Sequence, residues 1–268
     1  MLTGATRLVG LVGNPVTHSL SPRMQNAAFA ARGLDWAYVP LPVGDEAVEA
    51  AFAGLAALGF AGANVTIPHK TTALAYCDEL DPVSERAGAV NTIVVRDGRL
   101  LGSSTDGAAV AEAVSVGGAS VLVLGAGGAA QAVATALLDD GAASLRIAAR
   151  RVEAARALAL RLRALFPERE IAAEERWPPA ATEAVVVNAT PVRDDVVVSP
   201  HARQAVVDLA YIGDCSPTAL VEAAREAGCA TVVDGLEVLV RQGAASFERW
   251  TGIPAPVEVM RAALTSCQ

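Results

Sequence analysis

Lys70, Asp106, Asn91 and the closely spaced Ser19 and Ser21 are the residues whose types suit chemistry on a small molecule. Each lies at the edge of a short apolar run. Lys70 follows Val65-Thr66-Ile67-Pro68-His69 in the stretch "GANVTIPHK". An ammonium can give up its proton, which a guanidinium cannot, and the chain has few lysines. Pro68 reads as the first turn of a helix that runs on through Leu74, Cys77 and Leu80, because a missing N–H is harmless there. Lys70 would then face the positive end of the helix dipole, at a cost of about 0.3–1 kcal/mol. That position favours the neutral amine, which suits a proton acceptor. Taken by itself, a solvated surface lysine is the simpler reading.

The other polar groups also have two readings each. In "GNPVTHSLSP" the two serine hydroxyls can point at one anion or polyol if the loop is extended. Ser21-Pro22 equally suits a helix start. Asn91 heads a strand in "GAVNTIVV" and can be a turn former, while Asp106 in "GSSTDG" can be a helix cap. No metal-ligand spacing accompanies them, and no metal is expected.

A second chemistry is written further on. "SVLVLGAGGAAQAVATALL" runs as strand, turn and helix from Ser120 to Leu138. Gly125-Ala126-Gly127-Gly128-Ala129-Ala130 is G-x-G-x-x-A in the context that a dinucleotide site requires. Gly125 permits the tight turn, Gly127 lets the backbone approach a pyrophosphate, and the helix start offers N–H donors. Ala130 allows close helix–strand packing. The next strand, "SLRIAARR", ends in Ala149-Arg150-Arg151 where an NAD site usually has Asp or Glu. Arginine suits a 2′-phosphate through bidentate, charge-assisted hydrogen bonds, so the expected cofactor is NADP. The polar constellation would then serve a small hydroxylated substrate beside a nicotinamide.

These groups need a scaffold of strands that end near one another. Strands are expected at Arg7–Val12, Trp36–Leu41, Gly62–Ile67, Thr92–Arg96, Ser120–Leu124, Ser144–Ala149, Ala184–Asn188, Ala205–Asp208 and Thr231–Val233. Helices with apolar residues at three- and four-residue spacing lie between several of them, among them Ala129–Leu138 and Val152–Leu165. The alternation reads as α/β with largely parallel sheet. A composition shift at "VGGAS" puts a boundary within Gly107–Gly118. The result is a first domain of residues 1–106 and a second of 107–236, with helices in 237–268 packing back on the first.

Bulk numbers narrow the function classes. The chain has 268 residues, 53% of them hydrophobic, and carries 29 acids against 21 bases for a net charge of −8. That is ample for a large core and has no overall attraction for nucleic acid. No apolar run approaches the roughly 20 residues of a membrane span, and no cleavable leader opens the sequence, so a cytoplasmic protein is expected. Cys77, Cys215, Cys229 and Cys267 form no C-x-x-C pair and are expected as reduced thiols.

The blocks "GNPVTHSLSP", "GANVTIPHK", "GAVNTI", "STDG", "LGAGGAA", "NAT" and "DGLEVLVRQGA" occur in the order found in the shikimate dehydrogenase family, and the chain resembles that family from about residue 10 to 245. The resemblance implies an N-terminal α/β substrate domain and a Rossmann-type NADP-binding domain, with the active site in the cleft between them. It also implies reversible, NADPH-dependent reduction of 3-dehydroshikimate to shikimate in the aromatic amino-acid pathway. By the same resemblance Lys70 and Asp106 are the catalytic pair. The substrate carboxylate would meet Ser19 and Ser21, with Thr66 and Tyr211 nearby. The ring hydroxyls would meet Lys70, Asn91, Asp106 and Gln242, with Asn64 in support. The cofactor would lie on Gly125, Ala126, Gly127, Gly128 and Ala129, with Arg150 and Arg151 at its 2′-phosphate. Asn188, Ala189, Thr190, Leu209 and Gly235 would border the rest of it. A monomer or homodimer is expected.

Four stretches depart from the family's usual pattern. Ser104 stands where Asn usually precedes Thr-Asp-Gly, and Ala149-Arg150-Arg151 replaces Asn-Arg-Thr. Arg193-Asp194-Asp195 follows Asn-Ala-Thr, and the two acids are expected to face solvent. Gln25 replaces a frequent His. The rival readings are a quinate/shikimate dehydrogenase preferring NAD, a dehydrogenase of a modified shikimate, and a non-catalytic module that binds shikimate or NADP. The two arginines oppose the first, and intact Lys70 and Asp106 oppose the last.

Overall fold

A computed structural model describes residues 2–265. Its elements begin with β1 (Arg7–Gly13), α1 (Ser21–Ala31), β2 (Trp36–Pro42), α2 (Val48–Ala57), β3 (Gly62–Val65), β4 (Glu79–Leu80), α3 (Pro82–Ala87), β5 (Thr92–Arg96), β6 (Arg99–Ser103) and α4 (Asp106–Ala111). They continue with β7 (Ser120–Leu124), α5 (Gly128–Asp139), β8 (Ser144–Ala148), α6 (Val152–Leu165), β9 (Glu170–Ala173), β10 (Val185–Asn188), β11 (Ala205–Asp208), α7 (Ala219–Glu226), β12 (Thr231–Val233), α8 (Gly235–Thr251) and α9 (Val257–Thr265). Two compact units result. One takes Met1–Thr105 and Leu239–Gln268, the other Asp106–Val238.

The first unit is built on a mixed sheet in the order β2-β1-β3-β5-β6-β4. Parallel pairing of β1 with β2 and β3 brings Val12 opposite Val65, while antiparallel β5 sets Thr92 opposite Asn64. The carboxyl ends of β1 and β3 and the amino end of β5 therefore share one edge. Strands β4 and, in the second unit, β9 were not expected from the sequence, nor was short β6. It returns from β5 through Asp97 and Gly98, whose φ values of 52° and 76° make a primed hairpin turn. Trp250 of α8 donates its indole N–H to the Ile93 carbonyl at 2.9 Å and closes the other face.

The second unit has a sheet in the order β12-β11-β10-β7-β8-β9, parallel throughout. Counted within the unit, that is strand order 3-2-1-4-5-6, the doubly wound arrangement whose direction of winding reverses between β7 and β10. Both faces are covered, so Val121–Leu124 and Val185–Val187 are buried continuously and show no alternation.

The expected strands fall at or within two residues of the observed ones. The helix expected through Lys70 is not formed. Residues 67–71 are turn, followed by a short 3₁₀ segment, Thr72–Tyr76. The physical reason lies in the Lys70 carbonyl, which accepts the Val90 N–H at 2.8 Å instead of a helical partner four residues on. Buried His69 also holds the Val43 carbonyl at 2.7 Å, which pins the loop sideways. The dipole argument for Lys70 falls with the helix. The thiol expectation is also corrected in part. Cys77 and Cys229 are free, but Cys215 is disulfide-bonded. Burial, then the Asp78 charge, pushes the Cys77 thiol up to about 11, so it is inert near neutrality.

Candidate active site

In the first unit the expected substrate residues gather at the shared strand edge and on α8. Ser19 lies in the loop after β1, Thr66 follows β3, and Lys70 lies four residues further on in the pinned turn. Lys70 is the chain's one lysine, and every other Lys+Arg residue is arginine. That count is a stronger sequence signal than the helix argument, because an ammonium can exchange a proton where a guanidinium cannot.

Asn91 is 2% exposed and works as a clamp. Its Oδ1 accepts the Thr105 N–H at 2.8 Å and the Thr92 hydroxyl at 3.0 Å. Its Nδ2 donates to Thr105 Oγ1 at 2.9 Å and reaches Gln242 Oε1 at 3.5 Å. Asn64 lies behind it. The Asn64 Nδ2 donates to the Asn91 carbonyl and to Ser246 Oγ, both at 3.0 Å, and its Oδ1 accepts the Tyr38 hydroxyl at 2.8 Å. Fully buried Ser246 and Thr92 share a 2.7 Å hydrogen bond. Asn91 is thus no mere turn former. Sequence reasoning passed over Tyr38, Thr92, Thr105 and Ser246. The available signal for Ser246 was its spacing four residues after Gln242, which puts both on one face of a helix.

The capping alternative for the serines does not hold. The N-cap of α1 is Leu20, no side-chain cap is formed, and Ser19 Oγ accepts the Ser21 N–H at 3.3 Å. Gln25, fully buried, donates its Nε2 to the Gly243 carbonyl at 2.9 Å, tying α1 to α8. Ser104 is 3% exposed and its hydroxyl has no hydrogen-bond partner. A longer amide there could satisfy itself, whereas an orphaned polar group costs about 1–3 kcal/mol.

In the second unit Asp106 opens α4, where a carboxylate in the first turn suits the helix end. The neighbouring Gly107 is needed for packing. A Cβ there would stand 2.5 Å from the Ala132 carbonyl oxygen and 2.7 Å from Ala136 Cβ, both on α5.

The glycine turn lies at the reversal of strand order. Gly125 has φ 112°, and its N–H donates to the Ala148 carbonyl at 2.7 Å. A Cβ on it would press on the Ala189 carbonyl at 3.0 Å. Gly127 is the N-cap of α5, with no side-chain cap and no acid in the first turn. A Cβ on Gly127 would meet nothing within 4 Å, so open space lies before uncapped N–H groups. Arg150 and Arg151 are exposed just beyond β8, and Asn188-Ala189-Thr190 leaves β10 beside the turn. These features fit a dinucleotide carrying an extra phosphate. The Leu209 N–H continues the ladder to the Asn188 carbonyl at 2.9 Å. Tyr211 and Gly235 line one cavity of about 70 Å³ with Thr218, Arg225 and Asp234. Asp194 and Asp195 face solvent, as expected of them.

Sequence reasoning also missed Asp208 and Thr218. Asp208 is completely buried and accepts from Asn188 Nδ2 at 2.8 Å, the Ala210 N–H at 2.9 Å and the Thr218 hydroxyl at 2.5 Å. Burial pushes its carboxyl up to about 6, against the lowering effect of those three donors and with help from the Asp234 charge. Among the described residues no helix is long and apolar enough to cross a membrane.

Comparison with known proteins covers most of the chain. Residues 11–93 match the shikimate dehydrogenase substrate binding domain, 108–211 match shikimate / quinate 5-dehydrogenase, and 235–265 match the shikimate 5′-dehydrogenase C-terminal domain. A shikimate dehydrogenase (NADP(+)) of Anaeromyxobacter dehalogenans is 49% identical, over 98% of each chain. The solved shikimate dehydrogenase of Aquifex aeolicus is 32% identical with a TM-score of 0.87, covering 98% of this chain and 99% of that one. That of Thermus thermophilus, solved with NADP(H) and shikimate, is 34% identical with a TM-score of 0.83, covering 98% and 100%.

Proposed function

The chain belongs to the shikimate/quinate dehydrogenase family, and on that premise we propose how its own residues carry the reaction. It is an NADP-dependent oxidoreductase that interconverts shikimate and 3-dehydroshikimate. Oxidising a secondary alcohol removes a hydride from carbon and a proton from oxygen. NADP, when bound, accepts the hydride. The protein's share is the proton and the geometry.

Lys70 takes the proton from the hydroxyl oxygen that becomes the carbonyl, and returns it in the reverse direction. The observation that carries this role is that the one lysine of an otherwise arginine-only chain follows β3 in a pinned turn. Asp106 orients that hydroxyl and holds the lysine. Asn91 and Gln242 bind ring hydroxyls, and Asn64 keeps Asn91 in place from behind. Ser19 and Ser21, with Thr66 and Tyr211, hold the substrate carboxylate. The turn Gly125–Ala129 receives the pyrophosphate, and Arg150 and Arg151 receive the 2′-phosphate. Asn188, Ala189, Thr190, Leu209 and Gly235 border the remainder. In this reading the first unit supplies most of the groups for the substrate, and the second supplies Asp106, Tyr211 and the NADP site. A cytoplasmic setting, a monomer or homodimer, and a place in chorismate biosynthesis go with this reading.

A two-by-two absorbance assay tests it, with shikimate or quinate each offered with NADP or NAD. Turnover concentrated in the shikimate and NADP pair is the expected outcome. Comparable rates with quinate or NAD would move the chain to the broad-specificity branch of the family.

A further inference from the structure

We propose that Asp208 is the positioning residue of the dinucleotide loop, its carboxylate fixing which way the Asn188 amide faces and, through it, where Thr190 and Ala189 sit. The proposal rests on the reading that Asn188–Thr190 borders the cofactor.

Asn188 ends β10 and Asp208 ends β11, directly opposite in the parallel register. Both are completely buried. An asparagine amide is nearly symmetrical in shape, so packing alone does not choose between its two orientations. The carboxylate chooses. Its Oδ1 takes hydrogen bonds from Asn188 Nδ2 at 2.8 Å and from the Ala210 N–H at 2.9 Å, and Oδ2 takes the Thr218 hydroxyl at 2.5 Å. With Nδ2 committed to Asp208, Asn188 Oδ1 turns to the residues that follow. It accepts the Thr190 N–H at 3.0 Å and the Thr190 hydroxyl at 2.7 Å. A flipped amide would set oxygen against a carboxylate and an NH₂ against an N–H. Both contacts repel in a buried site.

The clamp extends to the glycine turn. Ala189 is held between the two ends of the Asn188–Thr190 link, and its carbonyl is the group that a Cβ on Gly125 would meet at 3.0 Å. A loosened Asn188 therefore frees the wall against which the phosphate-binding turn is packed. Desolvating a carboxylate is costly, and burial does raise this one. A buried acid that only filled space would be better replaced by leucine.

Four variants of the full chain decide the matter, read by NADP dissociation constant and by kcat at saturating NADP. Asp208→Leu should raise the NADP dissociation constant about tenfold, the worth of one lost charge-assisted hydrogen bond, with kcat within about threefold. Asp208→Asn should bind within about threefold of the parent, because its amide oxygen can take over Oδ1 while its NH₂ turns to Thr218. In an Asn188→Leu background, Asp208→Leu should add nothing further. Unchanged affinity in folded Asp208→Leu overturns the proposal, and so does full additivity with Asn188→Leu. If Asn188→Leu alone leaves NADP binding intact, the reading of this loop as a cofactor border fails, and the proposal with it. If Asn188→Leu weakens binding and Asp208→Leu does not, only the positioning role fails. Should Asp208→Leu not fold, the side-chain amide resonance of Asn188 in the parent protein decides. It should move with a midpoint near 6 as Asp208 titrates, and should still move in Asp234→Asn but with a lower midpoint, since the Asp234 charge helps raise the Asp208 carboxyl. A flat resonance overturns the link.

Discussion

The loops that leave β3 and β7 look alike in sequence, each an apolar strand followed by turn residues and an Ala/Leu-rich run, yet they are built for opposite chemistry. On the proposed reading, the main chain is the reagent after β7. Gly127 has no side chain, nothing caps α5, and the first-turn N–H groups face open space. After β3, on the same reading, the side chain is the reagent. The main chain there is consumed internally, with the Lys70 carbonyl on Val90 and the Thr66 carbonyl on the His69 N–H at 2.9 Å. On the proposed reading, one loop presents dipoles that bind an anion without changing state. The other holds a single ammonium that can change its proton count. Damage to the first should therefore appear in cofactor affinity, and damage to the second in turnover.

The largest expected effect breaks the β3 side. Lys70→Ala should lower kcat by about 10³-fold, within the usual range for a general acid–base group, and change the Michaelis constants only a few-fold. An unchanged turnover number would remove Lys70 from the mechanism. As the one lysine, Lys70 also offers a direct check. Reductive methylation should modify one side-chain amine, and shikimate should protect it; modification at an undiminished rate with shikimate present would count against substrate contact.

A second prediction concerns pH and stability in the β7 unit. A carboxyl whose folded pKa lies above its unfolded value binds its proton more tightly when folded. Asp208, raised from 3.8 to about 6, therefore favours the folded state at acid pH. That contribution, about 3 kcal/mol for a shift of this size, is withdrawn as pH rises through the window from 3.8 to about 6. Urea midpoints of the parent and Asp208→Asn should diverge across that window and run parallel above it.

A smaller effect sharpens the backbone side of the comparison. Gly127→Val adds a side chain where no atom stands within 4 Å, so the melting temperature should hold while the NADP dissociation constant rises about tenfold. Equal binding would mean that the pyrophosphate does not approach here. The smallest effect tests the buried support behind Lys70's unit. Ser246→Ala removes one partner each of Asn64 Nδ2 and Thr92 Oγ1, both of which keep Asn91, and should cost about 0.5–1.5 kcal/mol in chemical denaturation with little change in NADP binding.

The glycine turn was legible in the sequence because its function belongs to the local backbone. Strand, G-x-G-x-x-A and helix are contiguous, and Gly125 at φ 112° is where the motif demands it. Most strands were legible too, since buried parallel strands need unbroken apolar runs, but the edge strands β4 and β9 and the short β6 were not. The hairpin to β6 was written in Asp97-Gly98 and passed over. The conformation around Lys70 was not legible. Whether its carbonyl goes to a residue four positions on or to Val90 is decided by the segment leading into β5, about twenty residues further along the chain.

The amino-acid sequence by itself determined the α/β alternation, the glycine turn between strand and helix, the two arginines in place of an acid after β8, and the single lysine. Each of these depends on contiguous residues or on residue type alone. Only the tertiary structure decided that Lys70 sits in a turn rather than a helix, that Asn91 is clamped by Thr105 and backed by Ser246, and that Asp208 holds Asn188. Those facts depend on hydrogen bonds between strands and helices far apart in the chain, and no local pattern encodes which buried donor will meet which acceptor.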